Sequence, residues 1–473
     1  MKKLILSLLF GASCLFASAI SVYFPDDFAD GWDAYVGKTV TFENNFVVCG
    51  ISTMATVYIS HRRLRIPEEN AEGLAQGDST EYYSIESKNN RYLITLSNLG
   101  KAYLNPETIR KGAIIKGLTA YVSGANSLSF TSWESCNAEF PTVRPDLGNP
   151  RLVVCGANIE NYWTTFGKNG AKNEEQFEQQ NTKIVAGLRN MDADIYAICE
   201  LQQGTSAIST LTARLNAAAG ADIYSYVDNG FKEYESVSTG FIYRNDKVTP
   251  YGTMQFPYSS TYTTYHYRMM VKGFEENATG AKFAISLNHF LSKVSGSAES
   301  NPTRMENAQN LVSCLNKIVK NKTFDDEDIL ILGDFNCYTQ EQPIRYIVSS
   351  GFTDQLMRFD SLGYSYSYSD NTVGYLDRCF STPSMNDQIT AVHPYHINAD
   401  YFYRLEYKYG NYPSMYRYAD HDPILVGLNL SGGTDMESVP AEQDNAPRKF
   451  IRNGQIFIER NGVIYTILGA TTR

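Results

Sequence analysis

Short apolar runs that each stop at a polar side chain capable of chemistry constrain this 473-residue chain more than any other feature. Ile329-Leu330-Ile331-Leu332 is short and branched enough to be a buried strand, and Gly333-Asp334-Phe335-Asn336 follows at once. Leu152-Val153-Val154-Cys155 leads in the same way to Asn158, Ile195-Tyr196-Ala197-Ile198-Cys199 to Glu200, and Phe283-Ala284-Ile285-Ser286-Leu287 to Asn288-His289. Between the first two of these, Glu174 to Met191 places Phe177, Ile184, Val185 and Leu188 at helical spacing, so the order there is strand, helix, strand. Such a chain belongs to the α/β class, in which strand ends line the rim where ligands sit.

Ala419-Asp420-His421-Asp422-Pro423 precedes Ile424-Leu425-Val426-Gly427-Leu428 and would bring Asp420 and His421 to the same rim from another strand. Phosphodiester hydrolysis needs oxygen ligands for a hard divalent cation, a group that orients water and an acid near the leaving oxygen. Asp, Asn and His supply those roles. Taken alone, Gly-Asp-x-Asn is more often a strand followed by a turn, and a single strand-end histidine such as His289 is more often structural than catalytic. The accumulation of such ends in one chain favours a metal-assisted phosphodiester cleavage site.

In this order, Asn158, Glu200, His289, Asp334-x-Asn336 and Asp420-His421 resemble the signature of the endonuclease/exonuclease/phosphatase superfamily. Gly240–Arg244, Asn288–Lys293, Gly374–Arg378 and His396–Asp400 are similar to segments of its secreted bacterial extracellular endonuclease branch. The resemblance implies an α/β (α+β) four-layer sandwich with two facing mixed β-sheets, DNase I-like, and a site at their common rim. It implies that Glu200 is the main metal-binding carboxylate, that Asn158 supports the metal or phosphate, and that Asp420 ligates a metal directly or through water. Asp334 would activate or orient the attacking water, with Asn336 on a phosphate oxygen. His421, held by Asp377, would bond the scissile phosphate, and His289 would donate to a phosphate oxygen or the leaving group. Arg268 falls where the family keeps an arginine near the substrate, and reads evenly as that or as a solvated rim charge; Lys293 is a weaker phosphate contact. The implied ion is Mg2+ or Mn2+, with Ca2+ also open.

Two positions depart from the family pattern. Arg378 stands after Asp377 where a histidine is common, and His396–Asp400 runs into Tyr401-Phe402-Tyr403 where relatives carry an acidic or proline-containing turn. A carboxylate to orient His289 has no clear place, Glu233 and Glu235 being the nearest in sequence.

The rest of the chain divides by composition. Met1-Lys2-Lys3, the apolar run Leu4 to Phe16 and Ala17-Ser18-Ala19 read as a secretory signal over residues 1–19, too short for an anchor, with Cys14 a minor lipidation alternative. Residues 20–145 read as a small β domain whose opening, Gly31 to Val40, resembles an OB-like barrel. Aromatic side chains on an open face of it could stack on single-stranded bases; otherwise it is a packing or spacer unit, and no dense Lys/Arg cluster marks it as a nucleic-acid reader. Residues 146–430 form the main domain and 431–447 a linker. Residues 448–473 form a hairpin about Asn461-Gly462 that resembles the sorting tails of exported Gram-negative proteins, and so a contact for outer-membrane export machinery, or simply docks on the main domain. Of the 8 cysteines, Cys49 and Cys136 make the most plausible pair, Cys155, Cys199 and Cys337 read as small core hydrophobes, and no spacing resembles a zinc site.

A net charge of −10 excludes the long basic footprint of a tight duplex binder, so contact with a polyanion must be local and metal-mediated. The 34 tyrosines, many within 258–267 and 364–368, offer either stacking surfaces or half-buried strand residues. The reading is a secreted divalent-metal-dependent phosphodiesterase, foremost a nuclease for extracellular DNA and for RNA as well. A phosphatase or a phospholipid head-group hydrolase of the same core stays open. So does a surface binding protein on an inactive hydrolase shell, against which the complete polar set weighs.

Overall fold

A computed structural model describes residues 19–53, 55–66, 92–100, 110–257, 268–293, 297–368, 371–401 and 414–431, with backbone alone at 53, 297–301, 448–452, 455–460 and 463–466. The expected signal segment through Ser18, the tyrosines of 258–267 and the linker from 432 lie outside the described residues. Met1–Ser431 forms one unit and Gly432–Arg473 a second.

Two six-stranded sheets make the middle of the first unit. One runs, in spatial order, Tyr224–Tyr226, Tyr234–Arg244, Ile195–Gln203, Leu152–Tyr162, Ile424–Leu428 and Ile389–Pro394. The other runs Val248–Gln255, Met269–Glu276, Lys282–His289, Ile329–Asp334, Asp377–Ser381 and Thr353–Asp354. Each sheet has a single parallel pair at its centre, Leu152–Tyr162 with Ile195–Gln203 and Lys282–His289 with Ile329–Asp334, and is otherwise antiparallel. A parallel pair requires a crossover. The Glu174–Met191 and Ser297–Asn321 helices supply it. The first starts where the Asn173 side chain accepts the Gln176 N–H and stops at left-handed Asp192.

Strand alternation sorts the apolar side chains into layers. Leu330 and Leu332 meet Val154, Cys199 and Phe241 between the sheets. Ile329 and Ile331 turn the other way, onto Leu311 and Leu315 of one outer helix, while Cys155, Tyr196 and Ile198 meet Ile184 and Leu188 of the other. The architecture is therefore helix, sheet, sheet, helix, the four-layer sandwich that the sequence implied. At about 1.5–3 kcal/mol for each fully buried Leu, Ile or Phe, the layer between the sheets fixes their register as well as their stability. That register sets His289 opposite Asp334 and Asp334 opposite Asp377, in one row across the second sheet.

Among the described residues of the N-terminal region, nine strands between Ile20 and Asn137 form one sheet, with a short 3-10 turn at Asp26–Phe28. Thr39–Phe42 pairs with Thr119–Gly124 near one end of the strand order, and Phe46–Thr53, which follows it in the chain, pairs with Thr56–Ser60 and Ile114–Lys116 near the other, so the sheet curves like a barrel around one shared core. Phe24, Phe28, Trp32, Phe42 and Phe46 pack together in its core, while Tyr23 and Tyr121 are exposed. The expected Cys49–Cys136 bond is absent, both thiols being free. Cys136 lies against the barrel core, whereas Cys49 points to the opposite face of its strand with Val47 and Leu64.

The second unit is an antiparallel meander of Arg448–Arg452, Gln455–Arg460 and Val463–Thr466, one strand more than the expected hairpin. Asn453-Gly454 repeats the turn signal of Asn461-Gly462 and would have disclosed the extra strand. Among the described residues no helix is long and apolar enough to cross a membrane.

Candidate active site

The rim where the two sheets open brings together Asn158, Glu200, His289, Asp334, Asn336, Asp377 and His421. The Asn158 amide Nδ2 donates to Glu200 Oε1 at 3.0 Å and to Asp334 Oδ2 at 3.2 Å, which ties one sheet to the other. Asp334 is buried and accepts at Oδ1 from the Asn336 N–H at 2.8 Å and at Oδ2 from Asn336 Nδ2 at 3.0 Å. His421 Nδ1 lies 2.7 Å from Asp377 Oδ2, and its Nε2 faces Asp334 Oδ2 at 3.9 Å. His289 Nε2 stands 3.7 Å from both Glu200 Oε1 and Asp334 Oδ2.

Backbone strain concentrates here. Glu160, Asn161, Glu200, Asn336 and Arg417 all have φ between 49° and 68°, a left-handed region that costs side-chain-bearing residues about 1–3 kcal/mol each and is characteristic of functional sites. Gly333 has φ 129° and passes so close to the neighbouring strand that a Cβ would stand 1.9 Å from the Asn288 carbonyl oxygen. Only glycine lets His289 and Asp334 lie side by side.

The two histidines are held in opposite charge states. Burial acts to discharge His421, but Asp377, Asp334 and Asp420 outweigh it and raise its pKa well above the usual value. For His289, burial and then the charges of Arg268 and His421 all act downward, so its ring stays neutral. Burial, aided by Asp377 and Glu200 and opposed by His421 and the Asn336 N–H, pushes the Asp334 carboxyl up to about 7. The site therefore holds more buried negative charge than its own cations offset. Glu200, His289 and Asp334 form one set of possible metal ligands and Asp334, Asp377 and His421 another, with Asp334 common to both.

Asp420 adds its charge to His421 and Tyr366 but belongs to neither set. Arg268 stands close enough to depress His289, as a substrate-facing arginine would. Lys293 requires correction: its ammonium bonds both oxygens of Glu341, at 2.6 and 2.7 Å, and lies over the Tyr338 ring, so it is committed to an internal ion pair instead of a phosphate. Neither Glu233 nor Glu235 orients His289. The first caps the N–H groups of Thr205 and Ser206, and the second pairs with Lys168. His289 Nδ1 is buried with no partner among the described residues.

Arg378 turns away from the site by strand alternation. It is buried against Asp354 at 3.2 Å and Thr339 at 2.8 Å, so this departure from the family pattern leaves Asp377 untouched. Several contributors carry weaker signals. Glu160, two residues beyond Asn158, donates its N–H to Asn158 Oδ1 at 2.9 Å and lies 3.4 Å from Arg417. Asp422 accepts the Asn398 and Ala399 N–H groups and holds His396 Nδ1 at 2.8 Å, while Asn398 Nδ2 donates to the His421 carbonyl at 2.7 Å. Asx-type spacing could have exposed Glu160; nothing local distinguishes Asp422 from an ordinary turn.

No family model and no curated protein matches the sequence. Among solved structures, an endonuclease/exonuclease/phosphatase family protein from Bacteroides thetaiotaomicron is similar at 19% identity and TM-score 0.42, over 59% of this chain and 98% of that one. A counterpart from Bacteroides vulgatus is similar at 15% identity and TM-score 0.43, over 59% and 99%. The human nocturnin catalytic domain is similar at 14% identity and TM-score 0.40, over 59% and 94%. At such distances the chemistry has to rest on the side chains themselves.

Proposed function

We propose that this protein is a secreted, divalent-metal-dependent phosphodiesterase that hydrolyses extracellular DNA, and RNA as well. The observation that carries the reading is Asp334, a buried carboxylate shared between Asn158–Glu200–His289 on one side and Asp377–His421 on the other.

The donors fit a hard cation. Glu200, Asp334 and the Asn158 amide offer oxygen, Asp420 adds a nearby carboxylate, and a divalent ion would stabilise the ionised form of Asp334, which burial and then the neighbouring carboxylates hold up to about 7. Mg2+ or Mn2+ suits such a set, with Ca2+ a further candidate; once bound it supplies Lewis-acid polarisation of the phosphoryl oxygen. The chain's own residues divide the remaining work. Asp334 accepts from and orients the attacking water. Asn336 shares its amide between Asp334 and the Phe290 carbonyl, where it is poised for a phosphate oxygen. Protonated His421, fixed in tautomer by Asp377, presents Nε2–H to the phosphate, where negative charge accumulates in the transition state. Neutral His289 faces the same space and can donate to the leaving oxygen.

A nucleic-acid substrate is supported by the barrel, whose strand order, with parallel pairs between Ile20–Val22 and Thr39–Phe42 and between Ile94–Ser97 and Ser127–Ser132, suits an OB-like fold. Export is supported by the basic-apolar amino terminus and by the C-terminal meander as a tail for outer-membrane machinery. The strain and the opposed histidine charges speak against an inactive shell, since neither benefits a surface that merely binds.

The test is hydrolysis of plasmid DNA, single-stranded DNA, RNA and sphingomyelin by the mature protein, with magnesium or chelator, beside His421→Ala. Metal-dependent loss of nucleic acid that vanishes in the variant is expected. Cleavage of lipid alone would move the assignment to a head-group hydrolase, and no turnover at all would end the enzyme reading.

A further inference from the structure

The barrel and the sandwich meet along a polar seam that the proposed reaction does not use. At its centre Asp400 is buried between two barrel arginines, Arg63 Nη2 at 2.7 Å and Arg110 Nη1 at 3.2 Å, and accepts the Tyr364 hydroxyl. The Arg63 guanidinium also lies 5.2 Å from the centre of the Tyr364 ring. Lys111 Nζ, again from the barrel, donates to Ser367 Oγ at 2.8 Å. Between these points the backbones are joined, Ile66 N–H to the Val373 carbonyl and Val373 N–H to the Leu64 carbonyl, each at 2.9 Å. The barrel thus grips both ends of the segment Tyr364–Ser367.

The middle of that segment grips the candidate site. Ser365 Oγ accepts the N–H groups of Leu376 at 3.1 Å and Asp377 at 3.0 Å, and the Ser365 carbonyl accepts the Asp422 N–H at 2.8 Å. Tyr366 makes a backbone bridge to His421, with its ring 4.7 Å from the imidazole. The four residues therefore touch the barrel at each end and the Asp377–His421 pair between.

We propose that the N-terminal barrel is a positioning element of the active site, in which Arg63, Arg110 and Lys111 clamp Asp400 and Tyr364–Ser367, and this segment holds Asp377 and His421 in line. The inference rests on the reading of Asp377–His421 as catalytic. Buried ion pairs contribute little net stability but enforce one geometry, and about an ångström of misplacement at a reacting centre can cost about a hundredfold in rate. Arg63, Arg110 and Lys111 act through other residues and touch no substrate.

The experiment uses the full chain with Tyr364→Phe, Asp400→Asn and Lys111→Met, and Lys111→Arg as the conservative counterpart. The rate constants on whichever substrate the wild type cleaves are read beside hydrogen exchange at the Leu376, Asp377 and Asp422 amides. The expected result is a kcat lower by about 10- to 100-fold with KM within about twofold, faster exchange at those amides, and recovery of both in Lys111→Arg. Unchanged kcat and unchanged exchange would overturn the proposal, as would a raised KM at constant kcat, which would make the barrel a substrate binder. Should Asp400→Asn fail to fold, Tyr364→Phe removes only a hydroxyl and still decides. A wild type that cleaves no phosphodiester would defeat the functional reading alone, because the exchange measurement tests the clamp without turnover.

Discussion

Asp377 and His421 act as one unit, and the charge state of the pair should govern the alkaline side of the pH profile. Because carboxylates raise the pKa of His421, the ring remains protonated through neutral pH, and activity is lost only as pH rises through that elevated value. Asp377→Asn removes the anion bonded to Nδ1, so the alkaline limb should move to lower pH and kcat should fall by about 100-fold or more. A full pH–rate profile checks both. On the acid side, Asp334 takes up a proton near 7 and that proton competes with a metal ion. Mn2+ binding measured by calorimetry should weaken by up to about tenfold per pH unit below 7, and Asp334→Asn should flatten this dependence. Most of these residues were legible because each ends an apolar run, and strand ends converge. Lys293 misled because sequence spacing cannot reveal that Glu341, far along the chain, returns to take its charge.

Adjacent strands can present His289, Asp334 and Asp377 in a row only while the parallel pair at the centre of the sheet stays closely spaced. Gly333→Ala should therefore destabilise the fold by about 3 kcal/mol or more, through left-handed strain and collision with the Asn288 carbonyl, and urea unfolding measures this. The strand–helix–strand pattern around residues 151–203 was readable because two periodicities alternate cleanly. The strands Tyr366–Ser367 and Val373–Gly374 were not, since two residues carry no period, although they link the barrel to the site. The third strand of the C-terminal meander carries its signal in a second Asn-Gly pair, Asn453-Gly454, rather than in any periodicity of the short run Arg448–Arg452.

Taken whole, the first unit depends on ionised groups buried where barrel and sandwich join. Burial alone would raise the pKa of Asp400, but Arg63 and Arg110 more than offset it and hold the carboxyl below the usual range. A depressed carboxylate pKa contributes stability above the unfolded value of about 3.9 that is lost as pH falls through the folded one. Acid below about pH 4 should therefore weaken the join. Asp400→Asn, which leaves two arginines buried without their anion, should cost about 3–5 kcal/mol at neutral pH and lose this acid sensitivity. Thermal unfolding at neutral and acid pH compares the two proteins. The join was invisible in sequence because Arg63 and Arg110 lie some three hundred residues from Asp400, and only the folded topology makes them neighbours.

The hydrogen bonds from Asn158 to Glu200 and Asp334 have a corollary. One sheet donates Asn158 and Glu200, the other His289, Asp334 and Asp377, and neither half alone encloses the shared carboxylate. A nascent or partly folded chain is thus chemically mute. Closure of the two sheets and assembly of the site are therefore a single event, and any change that loosens one sheet from the other should silence the chemistry before it unfolds the chain.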